Sequence, residues 1–173
     1  MKTGVRTFQR EDLPAIHHLL FSNRWDYFLD PVIDERGLAI RDEKYFMSDT
    51  AQTLVYADDA NAILGFIHFE GVTNKSGDAP SFTLCVDASA RGKGIGTQLL
   101  KDGIAYIFDT YPKIRRIYAT TREDNLPMQK VFESLGFRQE ARHKKEWENR
   151  ETGEYMDAVG YAILRDEFES GNR

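Results

Sequence analysis

Val86-Asp87-Ala88-Ser89-Ala90-Arg91-Gly92-Lys93-Gly94-Ile95-Gly96-Thr97 is the stretch on which the fold turns: a glycine-rich, basic turn between a strand-like run and a helix-like run. Upstream, Ser81-Phe82-Thr83-Leu84-Cys85-Val86 is short, β-branched and aromatic, which predicts a strand. Downstream, Leu99, Leu100, Ile104, Ile107 and Phe108 recur at helical spacing. A strand that runs through a glycine turn into a helix aims the unpaired N–H groups of the helix's first turn at one point, at the positive end of its dipole. Such a point holds phosphate, and Arg91 and Lys93 add charge beside it.

Spacing narrows the ligand. A Walker A loop needs a glycine four residues before Gly-Lys and a hydroxyl residue after it; Asp87 and Gly94 stand there instead. The dinucleotide fingerprint G-x-G-x-x-G accepts Gly92 and Gly94 but meets Thr97 at its third glycine. The pattern that fits is Arg-x-x-Gly-x-Gly, filled by Arg91, Gly94 and Gly96. This resembles motif A of the GNAT N-acetyltransferase superfamily, whose ligand is the pyrophosphate arm of acetyl-CoA.

A second match lies downstream. Ile114 to Thr121 reads as a strand, and Arg122-Glu123-Asp124-Asn125 turns it into a helix with Met128, Val131, Phe132 and Leu135 on one face. Asn125 suits the N-cap, Pro127 the first turn and Gly136 the C-cap. The run Asn125 to Phe137 resembles motif B of the same superfamily. The remaining elements fit that order. They are a strand at 5–8, a helix started by Arg10 to Pro14, a less regular helix over 36–49, and strands at 53–57 and 63–69 joined by Asp58-Asp59-Ala60-Asn61. Two more strands, 137–147 and 155–164, flank a polar loop. The resemblance implies a single-domain α/β fold over 1–168, with a mixed, mostly antiparallel sheet flanked by helices, and a frayed tail at 169–173.

Composition sets outer bounds. At 173 residues one domain with a proper core is expected. No apolar run approaches a membrane span, and the start is unlike a signal peptide, so a cytoplasmic location is expected. The single cysteine, Cys85, forms no internal disulfide, and four scattered histidines give no metal-ligand spacing. A net charge of −5 argues against nucleic-acid binding.

The resemblance implies acetyl-CoA as co-substrate and direct attack on its thioester by a primary amine, of a small molecule or a protein N-terminus. It places the cofactor on Arg91, Gly92, Lys93, Gly94, Ile95, Gly96, Thr97, Asn125 and Phe132. A backbone N–H freed by a distortion in Leu84-Cys85-Val86 would polarise the thioester carbonyl. Two departures stand out. Phe132 occupies the position where many members carry a tyrosine acid, with Tyr118, Thr120, Thr121 and Tyr155 as open substitutes. Ala79-Pro80-Ser81 stands where some members place a glutamate base, leaving Glu70, His68, Glu123, Asp124 or a water chain. Glu70 is the side chain selected as catalytic, beside the Leu84 and Val86 backbone.

The segments Gly136 to Arg142 and Glu154 to Tyr161 resemble the branch holding ribosomal-protein N-terminal acetyltransferases. The acceptor pocket is then expected between Asn23–Phe28 and His143–Tyr155. Trp25, Tyr27, Phe28 and Trp147 would wall it, Asp26, Glu146 or Glu148 would meet an ammonium, and Glu70 would lie at its edge. GNAT proteins are often homodimers, although no residue requires it here. The alternative function is a non-catalytic acyl-CoA sensor on the same fold; a loop for NAD or ATP is a third class.

Overall fold

The computed structural model describes residues 4–27, 45–73 and 79–171. Among the described residues seven strands form one sheet: β1 (Gly4–Thr7), β2 (Ala51–Ala57), β3 (Ile63–Glu70), β4 (Ser81–Val86), β5 (Arg116–Arg122), β6 (Arg138–Asn149) and β7 (Glu154–Leu164). Their spatial order is β1-β2-β3-β4-β5-β7-β6. Every neighbouring pair is antiparallel except β4 and β5. Four α-helices of the described residues flank the sheet: α1 (Leu13–Ser22), α2 (Ile95–Thr110), α3 (Leu126–Ser134) and α4 (Arg165–Gly171). This is the mixed, mostly antiparallel α/β architecture expected from the sequence. None of the helices among the described residues is long and apolar enough to cross a membrane.

Alternation along β2 and β3 divides the core between the two faces. Leu54, Ile67 and Phe69 point into a cluster with Leu99, Leu100, Ile104 and Ile107 of α2, Phe132 of α3 and Phe168 of α4. Val55 and Phe66 point the other way, into a cluster with Ile16, Leu19 and Leu20 of α1 and with Cys85. The cysteine is 1% exposed, so it serves as a small core residue.

Local chemistry sets the element ends. Asp12 is buried, and burial raises its pKa. The bidentate bonds from Arg6 (2.7 and 2.8 Å) and the Gln9 N–H (2.8 Å) outweigh that, holding the carboxyl below its ordinary range and joining β1 to the start of α1. Arg165 donates to the carbonyls of Phe108, Tyr111 and Ile114, joining α4 to the α2–β5 connection. This last helix was not foreseen. Glu169 to Gly171, expected as part of a tail, complete it because Phe168 is buried against Phe108. Of the expected helix over 36–49, residues 36–44 lie outside the described residues, as does Phe28. Tyr45 and Phe46 form a helical turn whose rings pack on His68.

Gly65 sits tightly against β4 and α2. A Cβ there would lie 2.7 Å from the Cys85 carbonyl oxygen and 3.0 Å from Leu99 Cδ1. Backbone in a paired strand cannot swing aside as a side-chain end can. Gly65→Ala is therefore expected to lower unfolding free energy by about 1–3 kcal/mol, read as a shifted urea midpoint at unchanged slope.

Candidate active site

The parallel pair β4–β5 is where the sheet opens. Ser81 pairs with Tyr118, whose N–H also reaches the Pro80 carbonyl at 3.2 Å, and no further residues of the two strands pair. The β3–β4 ladder, by contrast, runs without irregularity from Glu70↔Ser81 to Gly65↔Val86. Asp87 N–H donates to the Leu64 carbonyl at 2.9 Å, which fixes the alternation of the strand. Cys85 and Thr83 turn their peptide groups toward β3; Leu84 and Val86 turn theirs toward the gap that β5 has left. The N–H groups of Leu84 and Val86 thus face the opening because the strands part, whereas the sequence had led us to expect a distortion within β4. Cys85 contributes only its backbone neighbourhood, its side chain being buried toward α1.

At the mouth of that gap the chain turns. Asp87 caps a single 3-10 turn over Ala88–Ala90, accepting from Ser89 N–H at 2.9 Å. Gly92 (φ 73°) and Gly94 (φ 82°) both adopt the left-handed region, and Gly94 is the N-cap of α2. The first bond back into the helix is Gln98 N–H to the Gly94 carbonyl, at 3.0 Å. That leaves the N–H groups of Ile95, Gly96 and Thr97 at the helix's positive end. Ile95 buries its side chain, so it offers backbone alone. Lys93 is exposed. Arg91 does not reach toward these donors. Its Nε donates to the Val86 carbonyl (3.1 Å), its Nη2 to the Arg24 carbonyl (3.3 Å), and its guanidinium stacks 5.2 Å from the Trp25 ring centroid.

Across the gap, Asn125 caps α3 as expected, accepting from Met128 N–H at 3.3 Å and donating to Thr121 Oγ1 at 2.9 Å. Phe132 is 1% exposed, stacked on Tyr161 (4.8 Å) with Phe137 and Phe82 around it. Its place is in the core, not on an open wall of the gap. Tyr161, which is not among the substitutes named from the sequence, is the phenol stacked on Phe132. Its hydroxyl donates to Gln129 Oε1 at 3.3 Å, and burial raises its pKa.

The family model for the acetyltransferase (GNAT) family matches residues 17–137, the span that contains both motifs and the parted strands. The chain belongs to this family. It is 33% identical over 108 residues to a mycothiol acetyltransferase of Salinispora tropica, covering 61% of this chain and 34% of that protein. The chain thus spans about a third of the length of that curated relative. In fold it is similar to the spermidine N-acetyltransferase of Vibrio cholerae solved with CoA and spermine. That likeness has a TM-score of 0.83 and 22% identity, over 97% of this chain and 98% of the other. A chimera of the Vibrio enzyme with hSSAT gives 0.82 and 20%, over the full length of both.

Beside the gap, the segment after α1 meets the β6–β7 hairpin. Arg24, Trp25 and Asp26 meet Glu148, Asn149, Arg150, Glu151 and Arg122 around a cavity of about 190 Å³. Arg24 pairs with both Asp26 and Glu151, closing one segment on the other. Arg122, a residue missed from the sequence, is buried at the end of β5. It is gripped by Asp124 (2.6 and 3.0 Å), bonded to the Asp26 carbonyl (3.1 Å) and set 4.8 Å from the Tyr27 ring. Trp147 is buried within β6, apart from this lining. Arg142 bonds Asp157 (2.6 Å) and Glu123 (2.5 Å), so the β6–β7 hairpin is anchored to the β5–α3 turn. Glu70 stands opposite Ser81, at the closed end of the gap, three residues along β3 from the partner of Leu84. At about 3.3 Å per residue that is about 10 Å along the strand from the level of Leu84 and about 17 Å from that of Val86. His68, next to it on the α1 face, is fully buried and bonded to Thr53 Oγ1 at 2.7 Å. Among the described residues no group of three or more His, Cys, Asp or Glu is placed to hold a metal ion.

Coenzyme A fits the donors present. A diphosphate needs N–H groups without a Cβ in the way, and Gly92 and Gly94 would place theirs in open space. A Cβ at Gly96 would sit at ordinary contact, 3.6 Å from Val86 Cγ2 and 3.7 Å from Leu84 Cδ2. The two glycines are therefore separable. Gly94→Ala is expected to cost about 1–2 kcal/mol of stability through its left-handed backbone. Gly96→Leu is expected to fold normally yet lose tenfold or more in CoA affinity by calorimetry, while Gly96→Ala keeps both.

Proposed function

We propose that this chain transfers the acetyl group of acetyl-CoA to a primary amine by direct attack. The observation that carries the reading is one opening bordered by two sets of backbone donors, the N–H groups of Leu84 and Val86 and those at the start of α2. Acetyl-CoA, when bound, supplies a thioester that an amine can attack and a thiol that can leave.

Each group of the chain then has a task. The backbone of Gly92 to Thr97 takes the pyrophosphate, Lys93 adds charge, and Asn125 borders the pantetheine arm. Leu84 and Val86 N–H groups hold the oxygen on which charge develops, in place before the reaction begins. Arg24 to Asp26 and the β6–β7 tip orient the acceptor. Glu70 acts as base only through water, because about 10 Å along the sheet separates it from Leu84 and more from Val86. With Phe132 in the core, the thiolate leaves with its proton coming from solvent, which a thiol of pKa near 8.5 permits.

The acceptor is read from the cavity. Its described lining holds three arginines (Arg24, Arg122 and Arg150) and three carboxylates (Asp26, Glu148 and Glu151). Balanced charge suits an amine that also carries an acidic group, including a peptide α-amine, better than a bare polycation. The likeness to spermidine and mycothiol acetyltransferases supports an amine acceptor in general. The buried Phe132 favours a second reading, an acyl-CoA sensor without turnover.

The test has two steps. Thermal unfolding with CoA and acetyl-CoA should show stabilisation of about 2.7 kcal/mol at a hundredfold excess over Kd, with none from NAD or ATP. Thiol release is then followed with spermidine, free amino acids and short peptides. Turnover of zwitterionic amines ahead of spermidine supports the reading. Binding of CoA with no turnover across the panel replaces it by the sensor, and no CoA binding removes both.

A further inference from the structure

The acceptor wall and the cofactor loop are fastened together by side chains from both. Asn23 ends α1 and uses its whole amide to do so. Its Nδ2 donates to the Leu19 carbonyl (2.8 Å) and to Asp87 Oδ2 (2.9 Å), and its Oδ1 accepts the Ala88 N–H (2.6 Å). The other Asp87 oxygen accepts the Ser89 N–H and hydroxyl, at 2.9 and 2.5 Å. Bonds from Asn23 first, then Ser89, hold the Asp87 carboxyl below its ordinary range, so this junction is ionised at neutral pH. Immediately beyond it, Arg24, Trp25 and Asp26 line the cavity.

Arg91 is the second fastening, and it differs from the first in having a competitor. Its guanidinium is shared between the Val86 carbonyl, the Arg24 carbonyl and the face of Trp25. A diphosphate on the N–H groups of Gly92 to Thr97 would be a stronger partner for a planar cation than two neutral carbonyls and a ring. Trp25 stays anchored meanwhile by its indole N–H to the Leu20 carbonyl at 2.9 Å, and Asn23 keeps the segment in register.

We propose that Arg91 is a positioning residue that couples the two sites, resting on Trp25 and Arg24 when the loop is empty and passing to the diphosphate when coenzyme A binds. The proposal rests on the acetyl-CoA reading of the loop. The two states differ in a named contact, and an acceptor that binds the freed wall more tightly raises coenzyme A affinity by the same factor by which coenzyme A raises its own. Occupancy of the loop releases the Arg24 carbonyl and one face of Trp25, readying the acceptor wall only when acetyl-CoA is in place.

Trp25 and Trp147 are the two tryptophans, so Trp147→Phe leaves Trp25 as a sole reporter. In that protein, CoA is expected to change Trp25 emission saturably, with the midpoint equal to the calorimetric Kd. Arg91→Ala and Arg91→Lys are then compared at saturating CoA. Lysine keeps a cation on the loop but can neither bridge two carbonyls nor stack as a plane. Both variants are expected to lose at least four-fifths of the Trp25 response while calorimetry still registers CoA. An unchanged response in the lysine variant would overturn the coupling and show that CoA touches Trp25 directly. A silent Trp25 in a Trp147→Phe protein that binds CoA calorimetrically would overturn it too. Absence of calorimetric binding in the unmodified chain would remove the acetyl-CoA reading itself, and the coupling with it.

Discussion

One parallel pairing that fails to continue governs this molecule. β4 and β5 meet at Ser81 and Tyr118 and then part. Backbone groups inside a sheet are normally spent on the neighbouring strand, and a buried one left over is costly. Parting converts them into donors that a ligand can satisfy. The continuous ladder to β3 holds β4 in place while this happens, and the close contact at Gly65 lets the two strands approach without a side chain between them. The helices α2 and α3 follow the two parted strands, so their N-termini stand at the mouth of the opening. Ligands of open α/β sheets gather at carboxyl ends of strands where neighbouring connections diverge, for this reason.

Charge is deployed sparingly around that opening. The donors of the α2 start are backbone, fixed by left-handed glycines. Most of the nearby side-chain charges already have partners. Arg122 is held by Asp124, Arg24 by Asp26 and Glu151, and Arg142 by Asp157 and Glu123. These pairs hold the β6–β7 hairpin and the segment after α1 in position around one small cavity. The exposed Arg24 and Arg142 pairs contribute little to stability, and their value here is geometric.

Much of this was legible in the sequence. Glycine spacing and a basic residue identify the loop between β4 and α2, and the caps Asn125 and Gly136 identify α3, because both depend on local backbone chemistry. The meeting of the segment after α1 with the β6–β7 tip around one cavity was also expected, from resemblance. What the sequence hides is tertiary. Nothing in Leu84-Cys85-Val86 announces whether its donors are freed by a kink or by a departing neighbour. Phe132 reads as a helix-face aromatic, whichever side of the core receives it. Glu70 looks adjacent to the motif in sequence, yet antiparallel pairing carries it to the closed end. Arg122 and Asn23 act across 96 and about 65 residues of chain respectively, beyond any local pattern.

The central claim is that the N–H groups of Leu84 and Val86 are donors awaiting a ligand. Amide hydrogen exchange and chemical shifts of these two residues, followed by NMR with and without acetyl-CoA, test it most directly. The account predicts fast exchange in the free protein and both slowed exchange and a downfield shift when acetyl-CoA binds. Acetyl-CoA bound at saturation with the Leu84 and Val86 amides unmoved, or both already protected in the free protein, would contradict it.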